Sequence, residues 1–122
     1  MWRWNPHQPP EDGLPPQEVR ILQLGAEPWQ DGRRVRISIE ITPFLEPPNL
    51  EVILTNDQNE ELSSVHIIQT VDCRMTFTMH IRAQEITGVC ALTAMLSYPE
   101  TGIVHQDSIH FSEKGREEAS SQ

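Results

Sequence analysis

Residues 33–42, "RRVRISIEIT", put apolar side chains at Val35, Ile37, Ile39 and Ile41 and polar ones between them. Period-two alternation is the pattern of a strand with one face in a core and the other in water. The same pattern recurs at 18–24, 49–56, 61–69, 74–82, 89–98 and 103–111. Between these segments lie "GAEPWQDG", "PFLEPP", "NDQNE" and "PETG", whose prolines, glycines and asparagines mark turns. No stretch carries an amphipathic helical stripe. The pattern predicts an all-β protein, a seven-stranded antiparallel β-sandwich.

Alternation also predicts which side of each strand is inside. The expected core is Val35, Ile37, Ile39 and Ile41, then Leu50, Val52 and Leu54, then Met75, Phe77, Met79 and Ile81. From 89–98 it takes Cys90, Leu92, Ala94, Leu96 and Tyr98. Segments 18–24, 61–69 and 103–111 alternate less cleanly, as edge or bulged strands do.

The order of strands and breaks over residues 18–111 resembles immunoglobulin-like and fibronectin type III-like sandwiches. The stretch "TGVCALTAMLSY" is similar to their glycine turn followed by alternating apolar residues. Two positions depart from that pattern: Cys90 stands where a corner tyrosine is usual, and neither 33–42 nor 49–56 contains a tryptophan. The resemblance implies the fold and no activity, because this architecture hosts unrelated functions. It also implies that 18–24, 33–42 and 74–82 share one sheet, with the last two antiparallel.

A chain of 122 residues with 37% apolar content fits one domain, its apolar residues concentrated between Val19 and Phe111. Five of the ten prolines fall in the first sixteen residues, and the last eleven hold no aliphatic residue larger than alanine. The expected organisation is a proline-rich flexible leader at 1–17, a sandwich at 18–112 and a disordered acidic tail at 113–122. The net charge of −9 argues against nucleic acid or an anionic membrane as main partner, since phosphate binding needs clustered cations. No apolar run approaches a membrane span, and the N-terminus lacks a signal peptide's apolar core and cleavage site. The expected location is the cytoplasm.

Cys73 and Cys90 flank one predicted strand, which would hold them about 25 Å apart, whereas a disulfide needs Cα atoms within about 7 Å. Two reduced thiols are expected, in keeping with a reducing compartment. Catalytic and phosphate-binding motifs are missing, and no enzymatic activity or cofactor is expected. His66, His80, His105 and His110 are spread over several strands and read as solvated positions. The turn at 56–61 is rich in oxygen donors but lacks the glycine and terminal glutamate of a calcium loop, so no metal is expected.

Three surfaces remain as candidates for a partner. In the implied sheet, outward Arg34 and Arg36 lie beside outward His80 and Arg82, with Arg20 close by, and Glu40 approaches Arg74 at the far end. Arginines on an exposed face recognise carboxylates and phosphates. The second surface is the edge strand with Val65, Ile67 and Ile68, apolar on both parities, through which a homodimer would form. The third is the leader, with Trp2 and Trp4 as anchors for a partner. The sequence therefore reads as a non-enzymatic protein-interaction module. The alternative is a small-ligand or carbohydrate-binding accessory domain, for which Trp29 is the one aromatic expected outside; an enzyme of unidentified chemistry comes third.

Overall fold

The structure is a computed structural model that describes residues 13–30, 33–81 and 88–112 and the short strand at 117–118. It is an all-β sandwich of two antiparallel sheets. One sheet has the order β1 (Ile21–Pro28), β2 (Arg34–Ile41), β5 (Arg74–His80). The other runs β4 (Glu61–Ile67), β3 (Asn49–Thr55), β6 (Val89–Tyr98), β7 (Gly102–Ser112), with β8 (Glu117–Glu118) at its edge. Strands paired by short turns alternate with strands that cross between sheets, and each sheet turns one apolar face inward.

The core follows the period-two pattern. Val35, Ile37, Ile39 and Ile41 of β2 meet Leu50, Val52 and Leu54 of β3 and Cys90, Leu92, Ala94, Leu96 and Tyr98 of β6, all buried. In β5, Met79 is buried, while Met75 and Phe77 are partly buried against the same cluster. Central strands keep the alternation because each is paired on both sides, so slipping by one residue would turn every apolar side chain to water.

The edges behave differently. The strand expected at 18–24 begins at Ile21 and continues through Gly25 and Pro28, which had read as a turn. An edge strand tolerates both residues, since one row of its backbone groups needs no partner. A bulge at Leu22 shifts the pairing of β1 with β2 and leaves Leu22 exposed. Bulges also fall at Leu62, between β3 and β4, and at Val104, between β6 and β7. Each inserts one unpaired residue and reverses parity, which accounts for the less regular alternation of those segments.

One end of the sandwich is closed by the approach to β1, the β2–β3 crossover and the β4–β5 connection. Leu14 pairs with Phe44, a 3₁₀ turn spans Pro16–Glu18, and Val19 is fully buried. Packing therefore starts within the segment expected to be a leader up to residue 17. The Thr42 amide donates to the Arg20 carbonyl at this end while the Thr42 Oγ1 accepts from the Arg20 amide, the Thr70 amide donates to the Pro48 carbonyl, and the Tyr98 hydroxyl donates to the Glu46 carbonyl at 2.9 Å. Cys73 lies here, whereas Cys90 opens β6 at the opposite end; the two are thiols and not a disulfide.

Candidate functional site

The outer face of the three-stranded sheet is built from the even-numbered residues of β2 and β5 and from Gln23, Gly25 and Glu27 of β1. Pairing sets them in rows: Arg34 beside His80, Arg36 between Glu27 and Thr78, Ser38 between Gly25 and Thr76, and Glu40 beside Arg74. Cross-strand neighbours on one face stand about 5 Å apart and successive rows about 7 Å apart. The middle row carries only Gly25, Ser38 and Thr76, so the longer side chains on either side rise above it. The result is a shallow, open trough of about 750 Å³, lined at its rims by Glu27, Arg36, Glu40 and Arg74.

The two rims differ in state. At one, Glu40 and Arg74 form an ion pair at 3.5 Å, the contact expected from their places on antiparallel strands. At the other, Arg36 is exposed and makes no hydrogen bond or ion pair within the described residues, although Glu27 stands opposite it in the pairing. Ser38, Thr76, Thr78 and His80 likewise have no hydrogen-bond partner among the described residues. Arg34 stacks its guanidinium over the Trp29 ring at 4.0 Å from the ring centre, and the Trp29 amide donates to the Arg34 carbonyl across the β1–β2 turn. Such a cation–π contact holds the guanidinium against the ring.

Arg34, Arg36 and His80 are thus brought together as their strand positions implied. Arg82 lies outside the described residues, as do Trp2 and Trp4. Arg20 does not join this group: it sits at the opposite end, with its guanidinium donating to the carbonyls of Gln17 and Val19. In β4, Val65 and Ile67 share the inward parity and pack on the core, and Ile68 lies past the strand in the bend, 68% exposed. The apparent two-faced apolarity of that segment was therefore two inward residues followed by a change of chain direction, and the outward side chains of β4 are Ser64 and His66.

The histidines have separate uses. His66 lies 3.3 Å from Glu51 on the outer face of the five-stranded sheet. His105 is half-buried and accepts a hydrogen bond from the Ile21 amide at its Nδ1, 2.9 Å away, tying β7 to the edge strand of the other sheet. This role was hidden in the sequence, because the bulge at Val104 turns Ile103 outward while His105 stays in the inward phase of Ile109 and Phe111. In the β3–β4 turn, the Asn56 carboxamide oxygen accepts from the amides of Gln58 and Glu60, and its nitrogen donates to Glu60. These groups shape the turn. Among the described residues no three His, Cys, Asp or Glu side chains gather as metal ligands would, and no helix is long and apolar enough to cross a membrane.

No protein-family model matches the sequence, and no curated protein does. Solved structures do resemble it. A glycosyl hydrolase family 2 member from Bacteroides cellulosilyticus aligns with a TM-score of 0.56 at 6% identity, over 77% of this chain and 15% of that one. A β-glucuronidase from Ruminococcus gnavus, in complex with D-glucaro 1,5-lactone, aligns at 0.52 and 10% identity, over 78% of this chain and 16% of that one. At such identities the likeness is one of fold: this chain is similar to a β-sandwich portion of those larger proteins, and it spans a small share of their length.

Proposed function

We propose that this domain is a non-enzymatic protein-interaction module whose contact surface is the outer face of β1, β2 and β5. The observation that carries the reading is the state of Arg36 and the hydroxyls beside it: Arg36, Ser38 and Thr76 are exposed and Thr78 half-buried, all on paired strands, with side chains that have no partner within the described residues. Other arginines of the fold do have partners: Arg74 pairs with Glu40, and Arg20 donates to the Gln17 and Val19 carbonyls. The two thiols are in keeping with a reducing, cytoplasmic setting. The reading includes pairing between copies along the open edge of β4, beside exposed Ile68 and Val71.

The test is affinity capture from native lysate with wild type and with the double variant Arg34→Glu, Arg36→Glu. The expected result is a protein retained by wild type and lost by the variant, with circular dichroism showing the sheet content unchanged. Retention of the same proteins by both forms would move the contact surface away from this face.

A second reading is a carbohydrate-binding accessory domain. It is favoured by the likeness to a small portion of glycoside hydrolase chains and by Trp29, 43% exposed beside the trough. Against it, one face of the Trp29 ring is already occupied by the Arg34 guanidinium. Under this reading Trp29→Ala abolishes retention on immobilised glycans; under the first it leaves protein capture largely unchanged.

A further inference from the structure

Among the described residues, charge is sorted by sheet. Arginine and lysine are absent from residues 37–73 and 83–113, and so from β3, β4, β6 and β7. The five-stranded side instead carries Glu51, Glu61 and Asp107 on its strands and Asp57, Glu60 and Glu100 in its turns. The outward positions of β1, β2 and β5 reverse this, with Arg34, Arg36 and Arg74 against Glu27 and Glu40. An anionic partner is thus repelled from one side of the molecule and meets cations on the other. Such sorting steers the encounter and sets its orientation.

The cationic side also has the right local chemistry. Arg36, Thr78, Ser38 and Thr76 form a two-by-two block, fixed by the pairing of β2 with β5. It presents a guanidinium and three hydroxyl groups, none with a partner among the described residues, within an area of about 5 by 7 Å. Guanidinium forks match carboxylates in two-point geometry, and neighbouring hydroxyls can donate to the remaining oxygen lone pairs. Glu27 beside Arg36 is the group against which an incoming carboxylate must compete.

We propose that this block is a docking site for an acidic polypeptide segment of a partner protein, its carboxylates received by Arg36 and the hydroxyls of Ser38, Thr76 and Thr78. The inference rests on the interaction-module reading and names the partner's chemistry. A polypeptide is favoured over an acidic glycan because the trough offers no open aromatic platform: Trp29 is already stacked on Arg34. A docked segment running along the trough lies across the strands, and its carboxylates reach Arg36 from the polar floor at Ser38.

The test uses the full chain and a fluorescent peptide of alternating glutamate and threonine, with its glutamine counterpart as control, read by anisotropy. Wild type is expected to bind the glutamate peptide, more weakly as salt is raised, and to ignore the glutamine one. Arg36→Gln should weaken binding by about tenfold, as expected for losing a charge-assisted hydrogen bond. Thr78→Val, which keeps the β-branched shape, should weaken it by a smaller factor. Glu27→Gln should tighten it, whereas Glu51→Gln, an equal change in net charge on the opposite sheet, should leave it unchanged.

The proposal is overturned by equal binding of both peptides, by an Arg36→Gln variant as tight as wild type, or by equal effects of Glu27→Gln and Glu51→Gln. It is also overturned if an oligogalacturonate binds and the glutamate peptide does not. The two readings fail separately. A lysate partner lost with Arg34→Glu, Arg36→Glu, but no affinity for the glutamate peptide, keeps the interaction face and removes the acidic segment. Arg36-dependent peptide binding with no protein captured from lysate keeps the anion site and removes the module.

Discussion

Tyr98 is the one tyrosine of the chain, buried at the end of β6 with its hydroxyl bonded to the Glu46 carbonyl. Burial, and to a smaller degree the negative charge of Glu46, push its pKa up to about 12. The unfolded chain titrates near the ordinary phenol value of about 10. The folded state therefore holds the proton more tightly, so its stabilisation is complete below pH 10 and is lost as pH climbs toward 12. Because no other tyrosine contributes, phenolate absorbance reports this residue alone. Its midpoint should be well above 10 in the native protein and return to about 10 in urea; equal midpoints would show that the hydroxyl is solvated. Tyr98→Phe should cost about 1 kcal/mol through the lost hydrogen bond and remove the alkaline dependence.

At the scale of elements, β1 is the vulnerable strand. It pairs with β2 on one side only, contains Gly25 and Pro28, and is bulged at Leu22. Its free side is held at Ile21 by His105, whose Nδ1 accepts the amide and whose proton therefore resides on Nε2. His105→Ala should leave the Ile21 amide in a part-buried place without an acceptor, at a cost of about 1–3 kcal/mol. Hydrogen exchange is the measure: the Ile21 amide should exchange faster, while Ile37 and Leu92 in central strands keep their protection. Unchanged exchange at Ile21 would mean that the β1–β2 ladder alone holds the edge. Since β1 also supplies Glu27 and Gly25 to the trough, fraying of this strand would reshape the rim beside Arg36.

For the whole molecule, the inward layer supplies stability, and the outer face of β1, β2 and β5 is the one proposed for recognition. Leu92 and Ile37 are fully buried where the two sheets meet, and Leu92→Ala should cost about 2–5 kcal/mol, a large part of the roughly 5–15 kcal/mol of a typical domain. The expected reading is a lower urea midpoint with an unchanged slope. Arg36→Gln, at an exposed position, should leave that midpoint within about 0.5 kcal/mol of wild type while altering binding. A variant set that separates in this way assigns the core to folding and the outer face of β1, β2 and β5 to the partner.

Much of this was legible in the chain itself. Alternation in β2, β3, β5 and β6 specified the inward residues, because period two assigns every side chain of a paired strand to a face. The same reasoning set Arg34, Arg36 and His80 outward, and the implied sheet order anticipated the Glu40–Arg74 pair. What it did not contain is the set of neighbours across strands far apart in sequence. Bulges at Leu22, Leu62 and Val104 are decided by how edge strands fit the curvature of the sheets. The one at Val104 turned Ile103 outward and so concealed the inward phase of His105, a half-buried acceptor, while the bend after Ile67 took Ile68 out of the strand. The sorting of charge between sheets had the same origin: the sequence carried the two arginine-free stretches, but only the pairing of β3, β4, β6 and β7 placed them on one side of the molecule. The side chain's face is a local property of the strand, and the neighbour it meets there is a property of the fold.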